Sequence, residues 1–180
     1  LNAGGRGSGK SYSMLLDLLG HCHDFGESAR PLVTRESHAG LLELQDTIYE
    51  LCVAAFGPTV QRNKHDNAVY LPTGGTIAFS NVGDETSYAK DQGKSYTALY
   101  GDEVGNYPPQ AFAFLRRIMS NLRVAPGRRT HIHFTANPHG RSHTVLFKEF
   151  ISKAPPWHPF ADSAGNLWIW TTSDLTMNPH

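Results

Sequence analysis

Apolar and polar residues follow two rhythms along the 180-residue chain. Spacing of three and four predicts helices over residues 10–25, 37–56, 110–122 and 142–153. The second carries Leu41, Leu44, Ile48, Leu51 and Cys52 on one side, with Ser37 as its N-cap. The third opens on Pro108-Pro109 and carries Phe112, Phe114, Leu115, Ile118, Met119 and Leu122 as core positions. The fourth is broken by Pro155-Pro156-Trp157. Short β-prone runs predict strands at 31–35, 96–101, 130–135 and 167–172. Two more, 67–71 and 76–80, flank Pro72-Thr73-Gly74-Gly75 and read as a hairpin. Residues 81–93 are polar and loop-like. Strands alternating with helices indicate one α/β domain with a mostly parallel sheet.

The densest chemical signal is Gly4-Gly5-Arg6-Gly7-Ser8-Gly9-Lys10-Ser11. It satisfies G-x-x-x-x-G-K-[ST] at every fixed position. Glycines permit backbone conformations that aim successive N–H groups at phosphate oxygens. Lys10 would reach the β- and γ-phosphates, and the Ser11 hydroxyl would hold Mg²⁺. The helix behind the loop adds its positive N-terminal end. A glycine-rich surface turn would match by chance only in part, without the Lys-Ser end and the helix. Leu1-Asn2-Ala3 alone precede the loop, so the buried strand that normally feeds it is expected to lie upstream.

The second anchor is Tyr96-Thr97-Ala98-Leu99-Tyr100-Gly101-Asp102-Glu103. Functional residues of a parallel sheet gather at the carboxyl ends of its strands. Asp102 is therefore expected at Mg²⁺ and Glu103 as the group that accepts a proton from attacking water. The strand at 130–135 ends in Thr135-Ala136-Asn137-Pro138, where Asn137 either senses the γ-phosphate or begins an ordinary Asn-Pro turn.

Charge sharpens the picture. Net charge is zero, yet residues 104–153 hold eight basic side chains against Glu149 alone, a net +7, leaving −7 elsewhere. Such asymmetry suits a polyanion partner or a merely solvated basic face. His21-Cys22-His23 sits on a helix, where neighbouring positions diverge, so no zinc site is expected. His131, His133, His139 and His143 cluster in sequence, but no carboxylate or cysteine joins them there, so a metal site is not expected either. Cys22 and Cys52 form no disulfide framework and suit a reducing compartment. No apolar run approaches membrane-spanning length.

Five segments stand in order: the 4–11 loop, Leu32-Val33-Thr34-Arg35 with its helix, Leu99-Tyr100-Gly101-Asp102-Glu103, Phe134-Thr135-Ala136-Asn137-Pro138, and the tail from Thr171 to Asn178-Pro179-His180. Together they resemble the ATPase domain of the large terminase subunit of tailed bacteriophages, the motor that packages double-stranded DNA into a procapsid. The resemblance covers nearly the whole chain. It implies a P-loop NTPase of the additional-strand, catalytic-Glu type: a mostly parallel sheet sandwiched by helices, plus a β-hairpin insertion. In that fold the 130–135 strand separates the Asp102 strand from the loop strand.

The resemblance also assigns roles. Catalysis falls to Glu103, Lys10 and Arg6, the last acting near the γ-phosphate. ATP binding falls to Gly4, Gly5, Arg6, Gly7, Ser8, Gly9, Lys10, Ser11, Tyr12 and Asn137, and Mg²⁺ to Ser11 and Asp102. Thr135-Ala136-Asn137 would couple hydrolysis to DNA movement. Arg116, Arg117, Arg128 and Arg129 are candidates for an arginine finger offered to a neighbouring subunit. Implied partners are double-stranded DNA, portal protein, the small terminase subunit and further copies in a ring, in the cytoplasm of an infected bacterial host, with no membrane. The family's adenine segment upstream and its acidic nuclease cluster downstream are not in this sequence, so nuclease activity is not assigned to it. Alternatives are a helicase or partitioning ATPase, a small-molecule kinase, and a nucleotide-binding fragment without turnover. The first should show further nucleic-acid motifs and a second core domain. A kinase has less use for Glu directly after the metal-binding Asp.

Overall fold

A computed structural model describes residues 1–5, 7–82 and 91–173. Arg6, most of the 81–93 loop and the tail after Ser173 lie outside the described residues. The predicted roles of Arg6 and of the Asn178-Pro179-His180 ending fall there.

The described residues build an eight-stranded sheet. In chain order its elements begin with strand β1 (Asn2–Gly4), helix α1 (Lys10–Phe25), strand β2 (Pro31–Arg35) and helix α2 (His38–Phe56). Strands β3 (Gln61–Asn63), β4 (Ala68–Tyr70), β5 (Thr76–Asn81) and β6 (Ala98–Gly101) follow. Helix α3 (Ala111–Met119), strand β7 (His131–Ala136) and helix α4 (His143–Leu146) come next. The chain then forms β8 (Phe160–Ala161), β9 (Leu167–Trp168) and β10 (Thr171–Ser173). The strand order is β10-β1-β7-β6-β2-β5-β4-β3. From β10 to β5 neighbours run parallel; β4 pairs antiparallel with β5 as the predicted hairpin, and β3 adds antiparallel to β4 at the edge. The segment Asn2–Gly4 is itself the strand that feeds the loop, and β7 separates it from β6 as the resemblance implies.

Alternation along the central strands assigns each residue to one of two cores. Leu32, Leu99 and Phe134 face α3, the α4 segment and Trp168. Val33, Ala98, Tyr100, Ile77 and Phe79 face α1 and α2. Strands buried on both faces carry apolar residues at nearly every position, which is why they read as continuous runs. Burying apolar side chains such as Leu18, Leu32 and Ile48 contributes about 1.5–3 kcal/mol each. Ser37 caps α2 as expected, its hydroxyl accepting from the Gly40 N–H at 3.1 Å.

Three predicted elements change. The helix at 110–122 stops at Met119, because Tyr96 captures the chain beyond it: Tyr96 N–H donates to Asn121 O and Arg123 N–H to Tyr96 O. The run at 167–172 is two strands, not one. Leu167–Trp168 pairs antiparallel with β8, whereas Thr171–Ser173 lies parallel to β1. The break holds Trp168 against Phe134 and Phe150, while Trp170 Nε1 donates to Ala154 O at 2.7 Å. The helix at 142–153 is α4 continued by wider π-type turns over Phe147–Ile151. The polar edge strand β3 has no period-2 apolar pattern, so nothing in the sequence points to it.

Candidate functional site

The carboxyl ends of β1, β6, β7 and β2 meet on one edge of the sheet, and the loop from β1 into α1 closes over them. Its glycines have distinct reasons. A Cβ on Gly4 would sit 2.0 Å from Ser173 O, so β10 leaves no room for one. Gly7 and Gly9 take φ of 76° and 79°, left-handed values that let the backbone curl into a cradle. Lys10 is buried; its ammonium donates to Gly5 O and, at 3.1 Å, to Ser8 Oγ. Burial lowers its pKa, while the Asp102 and Glu103 charges oppose that shift. Lys10 and Glu103 both line a cleft of about 330 Å³. Lining it are Gly7, Ser8, Gly9, Lys10, Ser11, Tyr12, Glu103, Thr135 and Asn137. Gly4 and Gly5 do not line the cleft, and Tyr12, which does, is exposed.

Asp102 is 2 % exposed. Its Oδ1 accepts from Ser11 Oγ at 2.8 Å and from Thr135 Oγ1 at 2.8 Å. Its N–H donates to Thr34 O. The Ser11 and Asp102 donors are both oxygens, the ligand class Mg²⁺ takes, and they fit that ion. Glu103 has φ 52° and ψ 40°, a left-handed conformation costing about 1 kcal/mol for a residue with a Cβ. Thr135 Oγ1 accepts from its N–H at 2.9 Å and holds it there. The Asn137 amide approaches Glu103 Oε1 at 3.4 Å. Ser11, Asp102, Thr135 and Glu103 therefore form one hydrogen-bonded chain from the loop to the tip of β7.

Arg35, at the end of β2, joins the site; the sequence marks its segment but assigns it no role there. Its Nη2 donates to Glu103 Oε2 at 2.9 Å, and its Nε lies 3.6 Å from Asp102 Oδ2. Burial acts against its charge, but the Glu103 hydrogen bond and both carboxylate charges prevail and raise its pKa. Arg35 places its countercharge beside two adjacent carboxylates and fixes where the Glu103 side chain rests. Removing it with Arg35→Met is expected to lower stability by about 1–3 kcal/mol, since it strips the buried Asp102 of its countercharge. Arg35→Lys should recover only part, because an ammonium cannot reach both carboxylates as the guanidinium fork does. Thermal unfolding of the three proteins checks this; a Met variant as stable as wild type would contradict it.

The other candidates lie elsewhere. His21 is buried and paired with Thr97 Oγ1, so it does not converge with His23. His131 and His133 do acquire the carboxylate that their own segment lacks, from Asp17 on α1. Arg116 pairs with Glu149. Arg128 donates to Asp24 O and stacks over Phe25, and with Arg129 it precedes β7, at the opposite edge from the cleft.

A glycine-rich loop feeding a helix, with an Asp-Glu strand end two strands away and a polar strand tip between them, defines an additional-strand P-loop NTPase fold. A family model described as "Terminase large subunit, T4likevirus-type, N-terminal" matches residues 2–154. The chain belongs to this large terminase family. Among solved structures it is similar to the large terminase of a thermophilic bacteriophage, with TM-score 0.67 and 18 % identity, covering 96 % of this chain and 39 % of that one. The same phage protein in complex with ATP-γ-S gives TM-score 0.65 and 17 % identity, over 98 % and 39 %. The N-terminal domain of the DNA packaging ATPase from bacteriophage phi29 gives 0.61 and 15 %, over 96 % and 88 %. At these identities the likeness is one of fold. The chain thus spans about two fifths of the length of the thermophilic phage's large terminase. No curated protein matches it significantly.

Proposed function

We propose that residues 1–180 are the ATP-hydrolysing domain of a longer motor that drives double-stranded DNA into a viral procapsid. The observation that carries this reading is the hydrogen-bonded chain Ser11–Asp102–Thr135–Glu103, which ties a phosphate cradle to a carboxylate and to the neighbouring strand tip. A related large terminase has been solved with ATP-γ-S and with ADP, which supports ATP as the nucleotide.

The chemistry follows from the residues. The loop N–H groups and Lys10 bind and orient the phosphates. Ser11 and Asp102 would hold Mg²⁺, which when bound neutralises charge on the β- and γ-phosphate oxygens. Glu103 orients a water and accepts its proton at a carboxylate oxygen. Glu103 already lines the cleft, with Oε2 held by Arg35 and Oε1 approached by the Asn137 amide. Thr135 carries any movement of the Glu103 backbone into β7. Arg6 is proposed to add positive charge at the γ-phosphate. Portal protein, the small terminase subunit, a ring of copies and the cytoplasm of an infected bacterial cell complete the proposal. Among the described residues no helix is long and apolar enough to cross a membrane.

The basic 104–153 segment is proposed to meet DNA phosphates, with Arg116 and Arg141 partly engaged by Glu149 and Glu36. Double-stranded DNA is expected to stimulate ATP turnover, and the stimulation should fade between about 50 and 200 mM salt as counterions compete. Steady-state phosphate release with and without DNA across that range tests it. ATP turnover indifferent to DNA at low salt would favour a generic nucleotidase.

A further inference from the structure

Asp17, His131 and His133 come together across the interface between α1 and β7, away from the nucleotide cleft. His131 Nε2 lies 2.6 Å and His133 Nδ1 2.7 Å from Asp17 Oδ2. One ligand atom from each residue falls within 4.8 Å of the other two. The two histidines alternate on β7 and so share a face. Tyr100 packs beside both rings, at 5.8 and 6.3 Å between centroids, and its hydroxyl reaches Asp17 O at 3.4 Å. The rings are thus held in place from below while solvent reaches the trio from outside: His131 is 45 % exposed and Asp17 37 %.

We propose that this trio is a transition-metal site, taking Zn²⁺ or a similar borderline divalent ion and clamping α1 to β7. Two imidazoles and a carboxylate match the donors that zinc, cobalt and nickel prefer, whereas Mg²⁺ takes oxygen ligands. Three protein ligands leave a position for water. Ligands bonded at about 2.0–2.1 Å in tetrahedral array stand about 3.3 Å apart, so Asp17 must retreat by roughly 0.6–0.7 Å from its 2.6 and 2.7 Å contacts. A half-exposed side chain on a helix surface has that freedom. The two histidines compete for a single Asp17 oxygen, and a metal would relieve that crowding. The clamp joins the helix that starts at Lys10 to the strand that ends beside Asn137, so the ion would stiffen the framework of the nucleotide site without touching it.

The test uses the untagged protein, stripped with EDTA and free of nucleotide, titrated with ZnCl₂ by calorimetry at pH 7.5. One zinc per chain is expected, with a rise in melting temperature. His131→Gln, His133→Gln and Asp17→Asn should each weaken binding by at least tenfold, since even an outer-shell partner's loss costs about 10–100-fold. His139→Gln and His143→Gln, which alter the stacked pair elsewhere, should leave it unchanged. X-ray absorption of the zinc-loaded wild type reads two imidazoles directly and does not depend on any variant folding. Zinc binding equally well to wild type and to the His131→Gln/His133→Gln double variant would overturn the site. So would a first shell without imidazole, or no binding at all, which would leave the trio an ion pair.

Discussion

Replacing Glu103 with Gln is expected to cut ATP turnover by about 10²- to 10⁴-fold while leaving ATP binding almost unchanged. The amide keeps the size of the side chain and can still accept from Arg35, so the 2.9 Å contact survives as a neutral-acceptor hydrogen bond. The left-handed backbone at 103 is held by Thr135 Oγ1 on the N–H, which the substitution leaves alone. What disappears is the capacity to take a proton from water. Single-turnover hydrolysis beside equilibrium binding separates the two effects. Hydrolysis at the wild-type rate would remove Glu103 from the role of base. Loss of binding in parallel would mean that the carboxylate shapes the cleft rather than the chemistry.

Lys10→Ala is expected to act on the other quantity. The ammonium bonds to Gly5 O and Ser8 Oγ, and its side chain lines the cleft together with Glu103. A charge-assisted hydrogen bond contributes about 1.5–3 kcal/mol, so ATP affinity should fall by about 10- to 150-fold. Turnover should fall further if, as proposed, the same cation stabilises charge that develops in the transition state; removing one such donor costs about 10²–10³ in rate. The fold should persist, because the loop glycines and the Ser11–Asp102 bond do not depend on the ammonium. Fluorescent-nucleotide titration with a thermal melt checks both statements. Undiminished affinity would mean that phosphate is not bound at this loop.

The loop, α1, β2, α2 and the Asp102–Glu103 strand end are legible because each is written locally: fixed spacing, helical periodicity, an apolar run ending in charge. The strand order is not readable from periodicity and comes from the family resemblance. The sequence marks the segments that hold Arg35 and Thr135, but the contact of Arg35 with the carboxylates and the bridge made by the Thr135 hydroxyl are hidden for a physical reason. Both matter only through register. Thr34 pairs with Gly101, which brings Arg35 beside the Asp102–Glu103 step, and Gly101 pairs with Phe134, which sets Thr135 against Asp102. Residues about 30 and 70 apart in sequence carry no mutual signal in a single chain. The same holds for Asp17, which meets His131 and His133 over more than a hundred residues and overturns the reason for expecting no carboxylate near them. The split of 167–172 has another cause: Trp168 and Trp170 satisfy different partners, and an apolar run cannot show that the chain bends between them.

The measurement that decides whether this site hydrolyses ATP is phosphate release from ATP by the wild-type protein, followed with rising Mg²⁺ and set beside ATP binding in the same samples. The protein is expected to bind ATP, with hydrolysis that appears with Mg²⁺ and saturates. ATP bound tightly but never hydrolysed at any Mg²⁺ concentration would contradict that expectation, and would make the Ser11–Asp102–Thr135–Glu103 chain a nucleotide-holding device instead of a hydrolytic one.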